Sequence, residues 1–256
     1  MAARSTVERR DNIIQLLYNN GKARVDELSK KFDVTSVTIR NDLDFLERKG
    51  ILYRSHGGAI LRKNVYKDPS LEEKQKLNQA EKQRIGKRAA QMIAENDTIL
   101  LDSGTTTTKI AHNLKEKNRL TIMTNAVNIA LDLAGNESIK VMLTGGVIRQ
   151  VSNSLVGPEA ENTIRNYFFD KLFLGVDGLD LKEGITTPNP LEAQLNRLMV
   201  SRANQVIVVA DSSKFGKLSF SHISPIDAID TIVTDIGITP DIHDELESTG
   251  INVITV

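Results

Sequence analysis

The sequence contains no cysteine. Disulfides, thiolate metal sites and thiol nucleophiles are therefore excluded together. Nothing in it approaches the roughly 18 consecutive apolar residues of a membrane-spanning helix, so no membrane association is expected. The opening residues Met1 to Glu8 hold no apolar core and do not read as a secretion signal, and a cytoplasmic protein is expected. Histidine is scarce and dispersed, at His56, His112, His222 and His243, with no pair at helical ligand spacing. No metal site is expected. Net charge is missing as well, because 33 basic residues balance 33 acidic ones across 256 positions. The balance is not local. Residues 1–63 carry 13 Lys and Arg against 8 Asp and Glu, which leaves the remainder acidic. That asymmetry suggests a small basic module that meets a polyanion, joined to a larger module that does not.

What is present is organised around the stretch from Asp33 to Gly50. Thr35 can cap the first turn of a helix, and Gly50 suits the left-handed position beyond the last. Ile39, Leu43 and Leu46 recur at i, i+4 and i+7 and make one buried face. At roughly 100° per residue, Val37, Arg40, Asn41, Asp44 and Arg48 fall on the opposite face. The small residues Thr35, Ser36, Val37 and Thr38 permit close approach to a duplex, and Arg40 and Asn41 can make paired hydrogen bonds to guanine and adenine edges. Upstream, a helix from Thr6 to Asn19-Asn20 turns Ile13, Ile14, Leu16 and Leu17 inward. Lys22 to Val25 reads as a short basic link, and a second helix runs from about Asp26 to Phe32. Two helices joined by Asp33-Val34 make a helix-turn-helix. The β-prone runs flanking Gly57-Gly58 predict a hairpin, the wing of a winged helix, with Arg54, Ser55 and His56 at its tip.

The run Val34-Thr35-Ser36-Val37-Thr38-Ile39-Arg40-Asn41-Asp42-Leu43, followed by Leu46-Glu47, Gly50 and the Gly57-Gly58-Ala59 hairpin, resembles the N-terminal signature of DeoR-family bacterial transcriptional regulators. Within that family the whole chain is similar to repressors of amino-sugar utilisation. The resemblance implies double-stranded operator DNA as a partner, symmetric operators, and a homo-oligomer, at least a dimer and plausibly a tetramer.

The expected domains are a winged helix over 1–62, a polar linker over 63–79 with a helix starting near Ser70, and an α/β domain over 80–256. After a helix at 80–95, apolar β-branched runs at 98–101, 120–123, 139–143, 171–176, 206–209, 231–233 and 253–254 alternate with helical segments near 105–117, 126–135, 158–167, 190–204 and 240–248. Pro158 and Pro190 stand where a first-turn proline would. The alternation predicts a largely parallel sheet buried on both faces. Ligands of such sheets sit beyond the carboxyl ends of the strands. Those ends carry Asp102-Ser103-Gly104 and four threonines, then Thr124-Asn125, Thr144-Gly145-Gly146, Asp177-Gly178-Leu179-Asp180, and Asp211 to Gly216 with Lys214 among them. Gly104 lets backbone approach a ligand, and Thr105, Thr106 and Thr107 open a helix whose free N–H groups favour an anion. This is a phosphate cradle, with ordinary helix capping as its plain alternative. Neither a Walker loop nor a dinucleotide Gly-x-Gly-x-x-Gly occurs, and no cofactor is expected.

These loops, with Gly184-Ile185-Thr186-Thr187 and Glu192-Ala193, are similar to the C-terminal sensor domain of the same family, which resembles ribose-5-phosphate isomerase and glucosamine-6-phosphate deaminase in fold. The resemblance implies a phosphorylated sugar, its phosphate on residues 103–107 and its hydroxyls read by Asp177 and Glu192, with Lys214 supplying positive charge. Asp102, Asn125, Gly145, Gly146 and Gly178 complete the expected lining. An enzyme on this fold would need a carboxylate base, for which Asp177, Asp180 and Glu192 are candidates, and a polarising group such as Lys214. The isomerases carry a lysine and a glycine cluster shortly after their Asp-Gly-x-Asp, whereas Ile185 to Pro190 here holds no basic residue. The expectation is binding without turnover and no catalytic residue, in a repressor whose operator affinity responds to the sugar. The competing reading is a sugar-phosphate isomerase or deaminase carrying a nucleic-acid module.

Overall fold

A computed structural model describes residues 6–20, 22–49, 51–55, 57–61, 68–114 and 117–256. The chain forms two compact units, Met1–Lys67 and Asp68–Val256.

The first unit runs α1 (Thr6–Asn20), β1 (Lys22–Arg24), α2 (Val25–Phe32), α3 (Ser36–Arg48), β2 (Leu52–Ser55) and β3 (Gly58–Leu61). α2 stops because Asp33 turns left-handed at φ 51° and its N–H bonds the Ser29 carbonyl. Thr35 then caps α3, its hydroxyl accepting from Thr38 N at 3.2 Å. Ile39, Leu43 and Leu46 are buried with Ile13, Leu17, Leu28 and Phe32, so the three helices share one core. β2 and β3 pair as an antiparallel hairpin, Leu52 opposite Leu61 and Ser55 opposite Gly58. The segment read as a basic link is instead a third strand: β1 lies beside β3, with Ala23 buried between exposed Lys22 and Arg24. That approach is so close that a Cβ at position 58 would fall 2.2 Å from the Ala23 carbonyl oxygen, and only glycine fits. Gly50 and His56, both assigned roles from the sequence, lie outside the described residues.

One charged residue interrupts this core. Asp42, at i+3 from Ile39, points to the buried face and is only 1% exposed. Its Oδ2 meets Arg9 Nε at 2.7 Å and its Oδ1 meets Arg10 Nε at 2.8 Å. The Arg10 guanidinium also lies 3.8 Å above the Phe45 ring.

The second unit contains α4 (Leu71–Gln75), α5 (Gln79–Gln91), β4 (Thr98–Leu101), α6 (Thr105–His112), β5 (Leu120–Thr124), α7 (Val127–Leu133), β6 (Ile139–Leu143), β7 (Val147–Arg149), β8 (Ser154–Val156), α8 (Pro158–Arg165), β9 (Phe169–Gly175), β10 (Gly178–Asp180), β11 (Gly184–Thr187), α9 (Pro190–Ser201), β12 (Ala203–Val209), β13 (Ser221–Ser224), β14 (Thr231–Thr234), α10 (Pro240–Ser248) and β15 (Asn252–Thr255). Seven strands form one sheet in the order β15-β14-β12-β9-β4-β5-β6, and every pairing in it is parallel. Alternate residues of each strand enter different cores. Leu100, Leu172 and Val208 pack with Ile164, Leu195 and Leu246 of α8, α9 and α10. Ile99, Phe173 and Ile207 pack with Ile85, Ile110 and Ile129 of α5, α6 and α7. Both faces are covered, which is why these strands read as unbroken apolar runs.

The chain builds β4, β5 and β6 toward one edge, then returns beside β4 with β9 and builds β12, β14 and β15 toward the other. The strand order therefore reverses between β4 and β9, and a crevice opens at their carboxyl ends. The short antiparallel pieces β7–β8 and β10-β11-β13 sit outside the main sheet. Residues 68–79, expected as linker, belong to the second unit. Leu71 is buried there, its N–H bonded to the Val151 carbonyl at 2.8 Å. Ser70 and Glu73 form a reciprocal capping box at the start of α4.

Candidate effector site and nucleic-acid interface

The crevice at the strand reversal is lined by the ends of β4, β9 and β12. Asp102, Ser103 and Gly104 follow β4, Asp177 follows β9, Asp211 and Lys214 follow β12, and Glu192 enters from the first turn of α9. Gly104 occupies the cap position of α6 and makes no side-chain cap. The first-turn N–H groups of α6 are thus left to face the crevice, where the positive end of the helix dipole favours an anion. Gly104 stands at φ 161° and ψ 167°, extended backbone open to any residue, so its role is space and not conformational freedom. Thr105 and Thr106 line the crevice, but Thr107 does not: it is fully buried, its hydroxyl donating to the Gly104 carbonyl at 3.1 Å.

A further wall comes from residues 68–82, of which 68–79 read as a polar linker in the sequence. Lys74 Nζ lies 2.8 Å from Asp177 Oδ1, and Lys214 Nζ lies 3.7 Å from the same oxygen. Thr187 donates to Asp177 Oδ2 at 3.3 Å. Burial alone would raise the Asp177 pKa, but the ammonium groups of Lys74 and Lys214 outweigh it and hold the carboxyl below its ordinary value. Asn78 donates to Asp211 Oδ1 at 2.7 Å. Lys82, 4% exposed, donates to the carbonyls of Lys74 at 2.6 Å and Leu77 at 2.8 Å. Its desolvation lowers the pKa of the ammonium. Glu192 Oε1 is already occupied by protein donors: Arg149 Nη1 at 3.1 Å, Ser152 at 2.6 Å and Ser154 at 2.8 Å. Arg149 also pairs with Asp68. The legible trace of this wall was the Ser70-x-x-Glu73 box, which announces an ordered helix inside a polar stretch.

Besides Thr107, four expected residues do not line the crevice. Asn125 is fully buried behind it, its Nδ2 3.5 Å from Ser103 Oγ. Gly145 and Gly146, at φ 74° and 106°, make the turn from β6 into β7. Gly178 packs so tightly that a Cβ would lie 2.5 Å from the Lys217 carbonyl oxygen. β5 and β6 lie beyond β4 on the side away from the reversal, so their ends are displaced from the crevice. Asp180 is a turn cap, accepting from the N–H groups of Lys182 and Glu183 at 3.0 Å each.

Asp102 is 2% exposed, with Oδ2 accepting from Gly175 N at 3.3 Å. Burial above all, and then the nearby Glu192 charge, raises its pKa well above 3.8. The folded chain therefore holds this proton more tightly than the unfolded chain, and stability is lost as pH rises from that value toward the folded pKa. Asp102→Asn, neutral throughout, removes the dependence. The variant should match or exceed the parent in denaturant midpoint at about pH 7, with the difference shrinking at about pH 4. A variant less stable at the higher pH alone would contradict this assignment.

In the first unit the outward face of α3 carries exposed Val37, Arg40 and Asn41, while Ser36 and Thr38 are half-buried. The Thr35 and Thr38 hydroxyls sit 2.9 Å apart at its start. Arg54 on the wing is tied to this helix: its Nε lies 3.2 Å from Asp44 Oδ1 and its N–H donates to Glu47 Oε1 at 2.7 Å.

A winged helix-turn-helix joined to a parallel α/β domain with a crevice at its strand reversal defines a DNA-binding transcriptional regulator with a sensor domain. Residues 9–65 match the DeoR-like helix-turn-helix domain, and residues 77–236 match the DeoR C-terminal sensor domain. The chain is 43% identical to a putative aga operon transcriptional repressor of Escherichia coli O157:H7, over 98% of this chain and 94% of that protein. It is 37% identical to the HTH-type transcriptional regulator GlpR of Haloferax volcanii, over 96% of each. The chain belongs to the DeoR family of transcriptional regulators. Among solved structures, ribose 5-phosphate isomerase A from Methanocaldococcus jannaschii matches at a TM-score of 0.41 and 16% identity, over 54% of this chain and 55% of that one. Among the described residues, no helix is long and apolar enough to cross a membrane.

Proposed function

We propose that this regulator binds a phosphorylated sugar in the β4–β9–β12 crevice and that the bound sugar sets its affinity for operator DNA. The observation that carries this is the uncapped N-terminus of α6 sharing one crevice with Asp177 and Lys214. An anion site thus lies beside a carboxylate able to accept hydroxyl hydrogen bonds. An amino-sugar phosphate is favoured by the 43% identical relative, which is named for the aga operon. Binding without turnover is supported by the state of the two candidate bases that line the crevice, Asp177 and Glu192. Asp177 is held below its ordinary pKa by two ammonium groups, and Glu192 Oε1 already accepts from Arg149, Ser152 and Ser154. A general base works best with a pKa near the working pH. The site of action of such a regulator is the cytoplasm.

Thermal unfolding with N-acetylgalactosamine 6-phosphate, glucosamine 6-phosphate and ribose 5-phosphate tests the reading, each against its unphosphorylated sugar. A ligand at 100 times its Kd adds roughly 2.7 kcal/mol of stability. No shift with any phosphorylated sugar at millimolar concentration would refute it, and product formation from any of them would restore the enzyme reading.

On the DNA side, the exposed Arg40 should contact a base edge or phosphate. Arg40→Ala should weaken binding to an operator selected by the parent protein by about 1–3 kcal/mol, with unfolding unchanged. Unaltered affinity and salt dependence would count against α3 as the recognition helix. A homo-oligomer, dimer or tetramer, fits symmetric half-sites, and light scattering of the full chain returning a monomer at micromolar concentration would rule it out.

A further inference from the structure

Asp177 and Asp211 line the crevice and are both engaged by protein donors, Lys74 and Thr187 at Asp177, Asn78 and Ser213 at Asp211. Asn196 is not. It lines the same crevice from α9, is only 4% exposed, and its Oδ1 is enclosed without a hydrogen-bond partner. An enclosed acceptor with no donor destabilises the fold that contains it, and a ligand that brings a donor removes that cost. The terminal torsion of asparagine is broad, so the amide can turn toward such a group. Glu192 stands one turn earlier on α9, and side chains at i and i+4 share a face, their Cβ atoms about 5–6 Å apart. The donors Arg149, Ser152 and Ser154 all meet Glu192 Oε1, and none of the three meets Oε2. One face of α9 thus brings to the crevice an acceptor without a donor and a carboxylate with an oxygen clear of those donors.

We infer that Asn196 is a specificity-determining residue which, with Glu192, reads a free amino group on the bound sugar phosphate in preference to an acetamido or hydroxyl group. This deepens the phosphorylated-sugar reading above and rests on it. The count of hydrogens favours the amine. A sugar hydroxyl or an acetamido nitrogen donates one hydrogen and serves one of the two acceptors. An ammonium group donates three, and its charge is opposite to that of Glu192. The balance of charge agrees. Four carboxyls line the crevice, those of Asp102, Asp177, Glu192 and Asp211, against the three ammonium groups of Lys74, Lys82 and Lys214. Arg149 and Asp68, paired beside Glu192, add one charge of each sign. With Asp102 protonated, as its burial favours, the two signs are equal. A bound phosphate then leaves negative charge in excess, and a ligand carrying its own cation offsets part of it. The start of α6 takes the phosphate and the face of α9 takes the amine, on different walls of one crevice.

Calorimetry on the full chain with galactosamine 6-phosphate, N-acetylgalactosamine 6-phosphate and galactose 6-phosphate, and with their three gluco counterparts, reads this preference. In one series the parent should bind the amine at least about tenfold more tightly than the acetamido and hydroxyl forms. Asn196→Leu, similar in shape but without polar atoms, should bring the three within about threefold of one another by weakening the amine. Asn196→Asp keeps an acceptor at this position and should retain the preference. A parental preference that persists in Asn196→Leu would mean that a buried water serves Oδ1, and the assignment would be wrong. A uniform loss across all six ligands in that variant would mean a packing role and would overturn it equally. So would a parent that binds the acetamido or hydroxyl form as tightly as the amine. In each of these cases a sugar phosphate still binds, and the effector reading stands. If no phosphorylated sugar, ribose 5-phosphate included, binds the parent at millimolar concentration, that reading fails and the inference with it.

Discussion

Asp42→Ala should destabilise the DNA-binding unit by about 3–5 kcal/mol, the range observed when one partner of a buried ion pair is removed. The carboxylate is 1% exposed and anchors two arginines of α1 from the inner face of α3. Without it the Arg9 guanidinium, whose side chain is 11% exposed, loses the carboxylate it is paired with. Arg10 is better placed to survive, being 25% exposed and stacked on Phe45. The cost is thus mainly that of stranding Arg9 and not the net worth of the pair. This has a checkable corollary. Replacing both members with apolar residues, Arg9→Met with Asp42→Leu, should recover much of the loss, because the desolvation penalty disappears along with the attraction. Denaturant unfolding followed by helical circular dichroism resolves the issue, provided the two units are fitted as separate transitions. A single-variant loss below about 1 kcal/mol would mean that water reaches Arg9 and that the pair is a surface one.

Asp42 is also a buried feature whose trace is legible in the sequence. Its spacing of i+3 from Ile39 put it on the apolar face of α3, and an acid there demands a buried base. Arg9 and Arg10 lay one helix away. The seven strands of the main sheet were legible because both faces of each are buried, which writes an unbroken apolar run into the chain. The short strands β7, β8, β10, β11 and β13 were not, since three or four residues such as Ser221-His222-Ile223-Ser224 carry no periodicity and take their conformation from the neighbour they pair with. The crevice was partly legible for a topological reason. Strand ends could be listed from sequence, but which of them meet depends on the order β12-β9-β4-β5. Asp102, Asp177 and Lys214 follow strands at the reversal, whereas Asn125, Gly145 and Gly146 follow strands beyond it. The wall formed by residues 68–82 was hidden by its polarity. Lys74, Asn78 and Lys82 look solvated one by one, and only their partners 103 and 133 positions away make Lys74 and Asn78 part of a site.

Gly104→Val should reduce sugar-phosphate affinity by at least about a hundredfold, the loss of two or more hydrogen bonds from backbone N–H groups to a charged ligand. The argument is steric. At φ 161° the backbone is extended and accepts valine without strain, and a Cβ would meet only Thr107 Oγ1, at 3.3 Å. That hydroxyl can give by a few tenths of an ångström, so the domain should fold. Nothing else lies within 4 Å of that Cβ, so the valine methyls should extend into the open space beside the start of α6, where the phosphate must approach the N–H groups. Alanine at the same position should bind with intermediate affinity, because its single carbon leaves part of that space. DNA binding should persist in both variants, since α3 and the wing belong to a separate compact unit. The resulting protein would occupy its operator and ignore its effector. Calorimetry with N-acetylgalactosamine 6-phosphate or whichever sugar phosphate stabilises the parent provides the measurement, paired with a gel shift on the selected operator. Parental affinity in Gly104→Val would place the phosphate elsewhere, and loss of operator binding together with effector binding would show that the valine had damaged the fold.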